Sequence, residues 1–279
     1  IGSSTVKVYK YDEGVLNLIE QKTFGLKKDF SKVKGLSDES KKEFIGYFLK
    51  LVEKYNLNNT TTKLYATGIF RDIINPLPFI QYFFESTGLY FNIITHDLEA
   101  FYLKQAWLNP NTSAVEKSII INIGGQTTEI LLCEKGKLIS DPLKLMLGVG
   151  SINNDFMGLN DSISRYNYTE IAERLKKQIE EQIGKPTTQF SVAIHTGGEL
   201  NYMQKAKYPL TANCFFKDYA HPLMISKSQY EKRNAEIFSE VMLEELKAMM
   251  PQNPNWMEGA RACSVLADAI CNFFGVKYI

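Results

Sequence analysis

Two hydrophobic periodicities alternate along this chain. Apolar residues alternate with polar ones, or run without a break, in segments that we predict to be strands: 1–11, 15–23, 61–67, 89–95, 118–123, 128–134, 137–140, 143–147 and 190–195. Apolar residues recur at helical spacing in segments that we predict to be helices: 37–55, 76–88, 97–108, 168–183, 228–250 and 256–274. Strands that alternate with helices in this way predict an α/β fold, in which helices cover mixed sheets.

One hairpin pattern occurs twice in the sequence. The segment Ile1–Gly14 (IGSSTVKVYKYDEG) aligns without gaps on Ile123–Gly136 (IGGQTTEILLCEKG). Glycines let the backbone approach a ligand closely, and successive N–H groups with short hydroxyl side chains can hold an anion. A single copy fits a plain β-hairpin with a glycine turn at least as well. Two copies, each opening one half of the chain, favour a phosphate held from two sides.

Further fragments extend the pattern over nearly the whole chain. They are Ile1-Gly2-Ser3-Ser4, Ala66-Thr67 with Arg71, Ile94-Thr95 with Glu99-Ala100, Asn122-Ile123-Gly124-Gly125-Gln126-Thr127-Thr128-Glu129, Leu147-Gly148 and Thr196-Gly197-Gly198. In their order and spacing they resemble the exopolyphosphatase and guanosine pentaphosphate phosphohydrolase (Ppx/GppA) family, in its short two-domain form, of the actin, sugar-kinase and heat-shock-chaperone superfamily. That family has an Asp-Ile-Gly-Ser opening and a second loop that reads Asp-Ile-Gly-Gly-Gly-Ser-Thr-Glu.

The resemblance implies an α/β protein of two actin-like (ribonuclease H-like) domains, each a mixed sheet covered by helices, with a cleft between them. Residues 1–112 would form the N-terminal domain, with the first phosphate loop and the catalytic glutamate. Residues 113–279 would form the C-terminal domain, with the second phosphate loop. The polar stretch Asn109–Lys117 fits a junction between the halves. Position 1 is Ile and enters a strand directly, so we expect residues upstream of it; residues 277–279 look like the beginning of a strand.

Two residues are the catalytic candidates. Glu99 falls in the first turn of a predicted helix that follows a strand, where α/β sheets usually place their ligands. The resemblance assigns it as the general base that takes a proton from the attacking water, while the alternative is an acid that interacts with the helix dipole. Arg71 would bind phosphate oxygens through its planar fork, and its alternative is a surface salt bridge to Asp72 or another acid.

The remaining candidates bind phosphate or metal in the resembling family. The phosphate-binding candidates are Gly2, Ser3, Ser4, Gly124, Gly125, Gln126, Thr127, Gly148, Gly197 and Gly198. In that family an Asp and a Glu of the second loop help to hold Mg²⁺, and these positions are Asn122 and Glu129 here. Glu129 matches the family, whereas Asn122 puts a neutral amide where the family has an acid. We therefore expect Mg²⁺, or another divalent cation, as the cofactor.

Composition describes an ordinary globular protein and excludes several classes. The 279 residues are 44% hydrophobic and 23% charged, with a formal net charge of +1. A charge so near zero does not support non-specific nucleic-acid binding, and the sequence has no apolar run of membrane-spanning length. Cys133, Cys214, Cys263 and Cys271 lack metal-ligand spacing, so we expect buried free thiols in the cytoplasm. A homodimer is one assembly we consider, since the sequence does not decide the oligomeric state.

Three functions compete on this scaffold. The resemblance favours a metal-dependent phosphohydrolase that releases terminal phosphate from inorganic polyphosphate or guanosine pentaphosphate. The mismatch at Asn122 motivates a second hypothesis, a catalytically weak sensor that binds phosphate or a nucleotide. A sugar or acyl kinase is the third, because a fold does not fix a function.

Overall fold

A computed structural model describes residues 1–3, 5–26, 30–107, 115–215 and 222–279. The chain forms two compact units, Ile1–Glu99 and Ala100–Ile279. Ser4 and the predicted boundary after residue 112 lie outside the described residues, so the division into 1–112 and 113–279 stays a prediction.

In its described residues, the first unit contains two strand pairs and three complete helices. Its elements are β1 (Thr5–Asp12), β2 (Val15–Thr23), α1 (Asp38–Tyr55), β3 (Leu64–Ala66), α2 (Ile69–Asp72), α3 (Leu77–Thr87) and β4 (Phe91–Ile93), followed by the start of α4 (His96–Trp107). Strands β1 and β2 form an antiparallel hairpin, and β3 pairs in parallel with β4. The backbone of Ile1 lies alongside β3, because its carbonyl accepts the N–H of Thr67 at 2.9 Å.

An aromatic cluster forms the core of this unit. Helix α1 begins where predicted, since Ser37 caps it by accepting the N–H of Ser40. Its Phe44 lies at the centre of the cluster, and Phe44 and Phe83 are fully buried. The buried rings of the cluster are Phe24, Phe44, Tyr47, Phe48, Phe70, Phe79, Phe83 and Phe91. Burying one such side chain stabilises the fold by about 1.5–3 kcal/mol, so these rings fix α1 and α3 against the two parallel strands.

The second unit is built on a mixed sheet. Its elements are β5 (Lys117–Ile123), β6 (Thr128–Glu134), β7 (Lys137–Leu138), β8 (Leu143–Leu145), α5 (Val149–Asp155), α6 (Tyr168–Ile183), β9 (Val192–His195), α7 (Glu199–Lys205), β10 (Thr211–Ala212), β11 (Leu223–Met224), α8 (Lys227–Ser239), α9 (Leu243–Ala248), a 3₁₀ helix (Pro254–Gly259) and α10 (Ala260–Phe274). The sheet order is β7-β6-β5-β9, with β8 also paired to β6. Strand β5 runs antiparallel to β6 and parallel to β9.

The central strand β5 is buried on both faces. Ile119 and Ile121 belong to the large core that contains residues of α6 and α10, whereas Ile120 belongs to a smaller cluster on the opposite face. Tyr278 forms a parallel bridge to Val192 and so continues the sheet beyond β9. At 277–279 the structure has this isolated bridge at Tyr278 rather than a strand, so the expected beginning of a strand is met by that one residue. Together the two units confirm the predicted α/β class.

The C-terminal helices differ from the prediction. A single helix over 228–250 is wrong, because α8 ends at Ser239 and α9 begins at Leu243. The buried guanidinium of Arg261 donates to the carbonyl of Val241, and the N–H of Leu243 donates to the carbonyl of Ser162 at 2.7 Å. These distant partners take the backbone groups that a continuous helix would need. Of the cysteines, Cys133 and Cys271 are buried as expected, but Cys214 is exposed.

The repeated hairpin is also a structural repeat. The N–H of Gly2 donates to the carbonyl of Thr5 at 2.8 Å, and the N–H of Gly124 donates to the carbonyl of Thr127 at the same distance. Both hairpins turn through two consecutive left-handed residues, which are Glu13-Gly14 and Lys135-Gly136. Left-handed pairs match the twist of the flanking strands, which explains the glycine at the second position of each turn.

Candidate active site

The first unit brings the two predicted catalytic residues into direct contact. Nη1 of Arg71 lies 2.5 Å from Oε2 of Glu99, and their side chains are 11% and 29% exposed. Nε of Arg71 is buried and has no hydrogen-bond partner in the described part of the chain. Arg71 thus forms a salt bridge with Glu99 and not with Asp72 in the described residues, which is compatible both with the phosphate-binding role and with the alternative of an ion pair to another acid. The carboxylate of Glu99 is oriented by a guanidinium and still reaches solvent.

Local backbone contacts place these two side chains. The N–H of Glu99 donates to the carbonyl of Thr95 at 3.0 Å, which fixes Glu99 in the first turn of α4. The N–H of Arg71 donates to the carbonyl of Gly68 at 3.0 Å. Gly68 has a φ of 61°, and a Cβ there would lie 2.0 Å from Oγ of Ser3. Only glycine fits this position, where the first loop meets the helix that carries Arg71.

Ser3 connects the first loop to that helix. Its Oγ accepts the N–H of Ile69 at 3.1 Å, so the hydroxyl oxygen takes part in a hydrogen bond within the protein. Gly2 forms the loop hydrogen bond to Thr5 described above. The predicted role of Gly2 and Ser3 in phosphate binding stays a prediction, and Ser4 lies outside the described residues. Sequence reasoning missed Gly68, although a glycine between a strand and a short helix was a usable signal.

In the second unit, two loops pack backbone against backbone. The N–H groups of Val149 and Gly150 donate to the carbonyls of Gly124 and Gly125 at 3.0 and 2.7 Å. A Cβ on Gly148 would lie 2.6 Å from both the nitrogen of Gln126 and the carbonyl oxygen of Gly124. The loop 124–127 and the start of α5 therefore form one rigid piece, and Gly148 is the residue that allows the approach.

Polar side chains line the same end of the sheet. Asn122 and Glu129 are directly opposed on β5 and β6, and Nδ2 of Asn122 donates to Oε2 of Glu129 at 3.1 Å. Oγ1 of Thr196 donates to Oδ1 of Asn122 at 2.9 Å. Oγ1 of Thr127 donates to Oε1 of Glu129 at 3.3 Å. Sequence reasoning identified Asn122 and Glu129 but missed the side-chain role of Thr196.

The donor set decides how far these residues fit Mg²⁺. Among the described residues, no group of three or more His, Cys, Asp or Glu could hold a metal. Mg²⁺ keeps several waters and usually binds one or two carboxylates together with substrate phosphates. The carboxylate of Glu129 fits that requirement. The carbonyl of Asn122 is already hydrogen-bonded to Thr196, which favours an orienting role for this amide.

The third glycine turn, Gly197-Gly198, is shaped by packing. Gly197 has a φ of 93°, and a Cβ on Gly198 would lie 3.0 Å from the ring of Trp256. Sγ of Cys263 donates to Oε1 of Glu199 at 3.3 Å, and burial with the adjacent carboxylate raises the pKa of this thiol well above its usual value. Burial lowers the pKa of His195 to about 4. Near pH 7 this turn is thus flanked by a neutral thiol and a neutral imidazole.

Comparison with known proteins identifies the family. A sequence model of the Ppx/GppA phosphatase family matches residues 17–239. The chain belongs to this family. As a Ppx/GppA protein, it contains the second-loop residues, Arg71 and Glu99 within the matched range, while Gly2 and Ser3 precede it.

Solved structures of the Ppx/GppA family share the fold. An exopolyphosphatase from Cytophaga hutchinsonii aligns with a TM-score of 0.71 at 13% identity, over 100% of this chain and 90% of its own. The Ppx/GppA family member of Aquifex aeolicus aligns with a TM-score of 0.65 at 17% identity, over 100% and 90%. At these identities the likeness establishes the Ppx/GppA fold.

One curated relative is a longer protein that contains a similar segment. The bifunctional 3-dehydroquinate synthase/phosphatase of Fusobacterium nucleatum is 22% identical over 242 residues, which are 83% of this chain. The chain spans 34% of the length of that relative. In the described part of the Ppx/GppA chain, no helix combines the length and apolar character needed to cross a bilayer.

Proposed function

We propose that this chain is a metal-dependent phosphohydrolase that releases terminal phosphate from inorganic polyphosphate or guanosine pentaphosphate. The observation that carries the proposal is the contact between Arg71 and Glu99, 2.5 Å apart in the first unit. A guanidinium that binds phosphate and a carboxylate that accepts a proton are the two groups that such a reaction requires next to each other. Membership of the Ppx/GppA phosphatase family supports the same reaction class.

Glu99 would act as the general base. Arg71 contacts Oε2 of Glu99, so Oε1 can accept a proton from a water molecule. That water attacks the terminal phosphorus as its proton passes to Oε1. The bond between phosphorus and the bridging oxygen of the chain breaks, orthophosphate is released, and the shortened chain leaves with the electron pair.

Arg71 would bind the phosphate that is attacked. A guanidinium has five N–H donors, and the contact to Glu99 uses Nη1. Its remaining donors can bind phosphate oxygens while Nη1 keeps the base oriented. In the second unit, backbone N–H groups of the loop 124–127 would bind phosphate groups. A divalent cation such as Mg²⁺, held by Glu129 and bound phosphate, would offset the negative charge of that phosphate.

A parallel hydrolysis assay tests the proposal. Phosphate release is measured with Mg²⁺ and with EDTA, from long-chain polyphosphate and from guanosine pentaphosphate. Release that requires Mg²⁺ and Glu99 supports the proposal. No release from either substrate contradicts it. Transfer of phosphate from ATP to added sugars, without hydrolysis, would support the kinase hypothesis instead.

One observation favours the phosphate sensor as the second candidate. The amide of Asn122 bonds to both Thr196 and Glu129, and a neutral amide attracts a divalent cation less than the family's carboxylate does. A sensor would bind polyphosphate or the nucleotide with little turnover. Binding without hydrolysis in the same assay separates this candidate from the hydrolase.

Replacing Asn122 by Asp should make the stability of the second unit depend on magnesium. The new carboxylate oxygen would face Oε2 of Glu129, now 3.1 Å from Nδ2 of Asn122. Two unit charges about 4 Å apart repel by about 4 kcal/mol at an effective dielectric constant of about 20. Because solvent screens part of this, we expect the free energy of unfolding to fall by about 1–2 kcal/mol in EDTA. Mg²⁺ should restore it, and hydrolysis should need less Mg²⁺ than in the parent protein.

Asn17→Asp is the matched control. Asn17 lies on the exposed part of β2. The substitution therefore adds the same charge at a position far along the chain from Glu129. Urea unfolding with EDTA and with Mg²⁺ measures stability, and a magnesium titration of the hydrolysis rate measures metal use. An Asn122→Asp protein with unchanged or poorer metal dependence would argue that Asn122 serves only to hold the loop.

A further inference from the structure

Three polar side chains form a row across the end of the second sheet. Asn122 on β5 is opposite Glu129 on β6. On the other side of β5, the N–H of Thr196 donates to the carbonyl of Ile121 at 3.1 Å, which extends the pairing of β9 by one residue. Thr196, Asn122 and Glu129 therefore come from three adjacent strands, and the sheet itself sets their spacing.

The side-chain hydrogen bonds between these three residues run in one direction, from Thr196 through Asn122 to Glu129. The hydroxyl of Thr196 donates to Oδ1 of Asn122 at 2.9 Å, with the carbonyl of Ile121 as a second, longer acceptor at 3.2 Å. Nδ2 of Asn122 donates to Oε2 of Glu129 at 3.1 Å. An amide accepts at its oxygen and donates at its nitrogen. Anchoring the oxygen of Asn122 on Thr196 therefore holds its nitrogen against Glu129. Hydrogen bonds in such a chain also polarise and strengthen one another.

This arrangement depends on the asparagine that distinguishes the chain from the family pattern. An Asp at position 122 could accept from Thr196 but has no hydrogen to donate to Glu129. With Asn122, the carboxylate of Glu129 receives a donor on Oε2 from Asn122 and a donor on Oε1 from Thr127.

We propose that Thr196 is a positioning residue for Glu129, acting through the side-chain amide of Asn122. Loss of the Thr196 hydroxyl leaves Oδ1 of Asn122 without its donor, so the amide no longer holds the carboxylate in one orientation. The inference rests on the proposed function, in which Glu129 holds a magnesium ion that is bound to phosphate. Outer-shell partners of this kind typically change metal affinity or activity by about 10–100-fold when they are removed.

Thr196→Val and Thr196→Ser are the primary variants. Valine keeps the shape and removes the hydroxyl, whereas serine keeps the hydroxyl. Thr211→Val is the matched control, because the hydroxyl of Thr211 donates to a backbone carbonyl, that of Met224, and to no side chain in the described part of the chain. Calorimetry measures the binding of tripolyphosphate over a range of Mg²⁺ concentrations, and urea unfolding measures stability. We expect Thr196→Val to raise the half-saturating Mg²⁺ concentration about tenfold, with Thr196→Ser and Thr211→Val close to the parent protein.

A double variant tests whether Thr196 acts through Asn122. Residues that act through one shared contact give non-additive effects. Thr196→Val added to Asn122→Ala should therefore leave the half-saturating Mg²⁺ concentration where Asn122→Ala alone puts it. Additive increases would overturn the proposal, and so would unchanged magnesium dependence in Thr196→Val.

The binding measurement separates this inference from the hydrolase proposal. If the parent protein binds tripolyphosphate in a magnesium-dependent way but hydrolyses nothing, the hydrolase proposal fails while the binding data still test Thr196. If the parent protein binds tripolyphosphate equally with Mg²⁺ and with EDTA, Glu129 holds no phosphate-bound metal and the role of Thr196 is disproved.

Discussion

Replacing Glu99 by Gln should lower the rate of hydrolysis by about 10²–10⁴-fold, the usual contribution of a general base. Glutamine keeps an oxygen that can accept from Nη1 of Arg71, which now lies 2.5 Å from Oε2 of Glu99. It removes the negative charge of the carboxylate and, with it, the ability to take a proton from water. Stability and tripolyphosphate binding should therefore stay near the parent values, as measured by urea unfolding and calorimetry.

Asp97→Asn controls for a simple helix-dipole effect. Asp97 is exposed in the same first turn of α4, where an acid contributes about 0.3–1 kcal/mol through the dipole. Both substitutions remove one charge there, but only Glu99 contacts Arg71 in the described structure. Parent-like turnover in Glu99→Gln, or an equal loss of turnover in Asp97→Asn, would show that Glu99 is merely a helix-start acid.

Replacing Gly148 by Ala should disrupt the second phosphate loop and destabilise the second unit. The added Cβ would lie 2.6 Å from the nitrogen of Gln126 and from the carbonyl oxygen of Gly124. Both are backbone atoms, so no side chain can rotate away. Overpacking usually costs about 1–3 kcal/mol and occasionally more, and we expect about 3 kcal/mol here. Tripolyphosphate binding should be lost, because the loop 124–127 must move.

Gly46→Ala is the matched control. Gly46 lies in the middle of α1, and a Cβ there would meet no atom within 4 Å. Alanine in a helix interior is more favourable than glycine by about 0.5–1 kcal/mol, so this variant should be slightly more stable and should bind tripolyphosphate normally. Normal phosphate binding by Gly148→Ala would mean that the loop adapts and that Gly148 is not required.

Local sequence patterns were sufficient for the well-separated elements. Helix α6 spans Tyr168–Ile183, as predicted, because an Asn cap and a Gly end enclose a regular apolar stripe. The hairpin repeat could be predicted because its turns need left-handed residues, and glycine is the residue that favours that conformation. The helix boundaries of the C-terminal region could not be predicted in this way. The break between α8 and α9 depends on the contact of Arg261 with Val241, and no local pattern encodes it.

The sequence alone determined the family, the α/β class, the duplicated hairpin and the identities of Glu99, Arg71, Asn122 and Glu129 as candidates. These follow from short-range order, since periodicity, turn residues and motif spacing are properties of neighbouring positions. Only the tertiary structure decided which of these side chains touch. Arg71 and Glu99 are 28 positions apart and Thr196 and Asn122 are 74 apart. Their contacts arise because strand pairing and core packing bring distant segments to one edge of a sheet. The spacing of two residues along the chain does not predict the distance between their side chains in the fold.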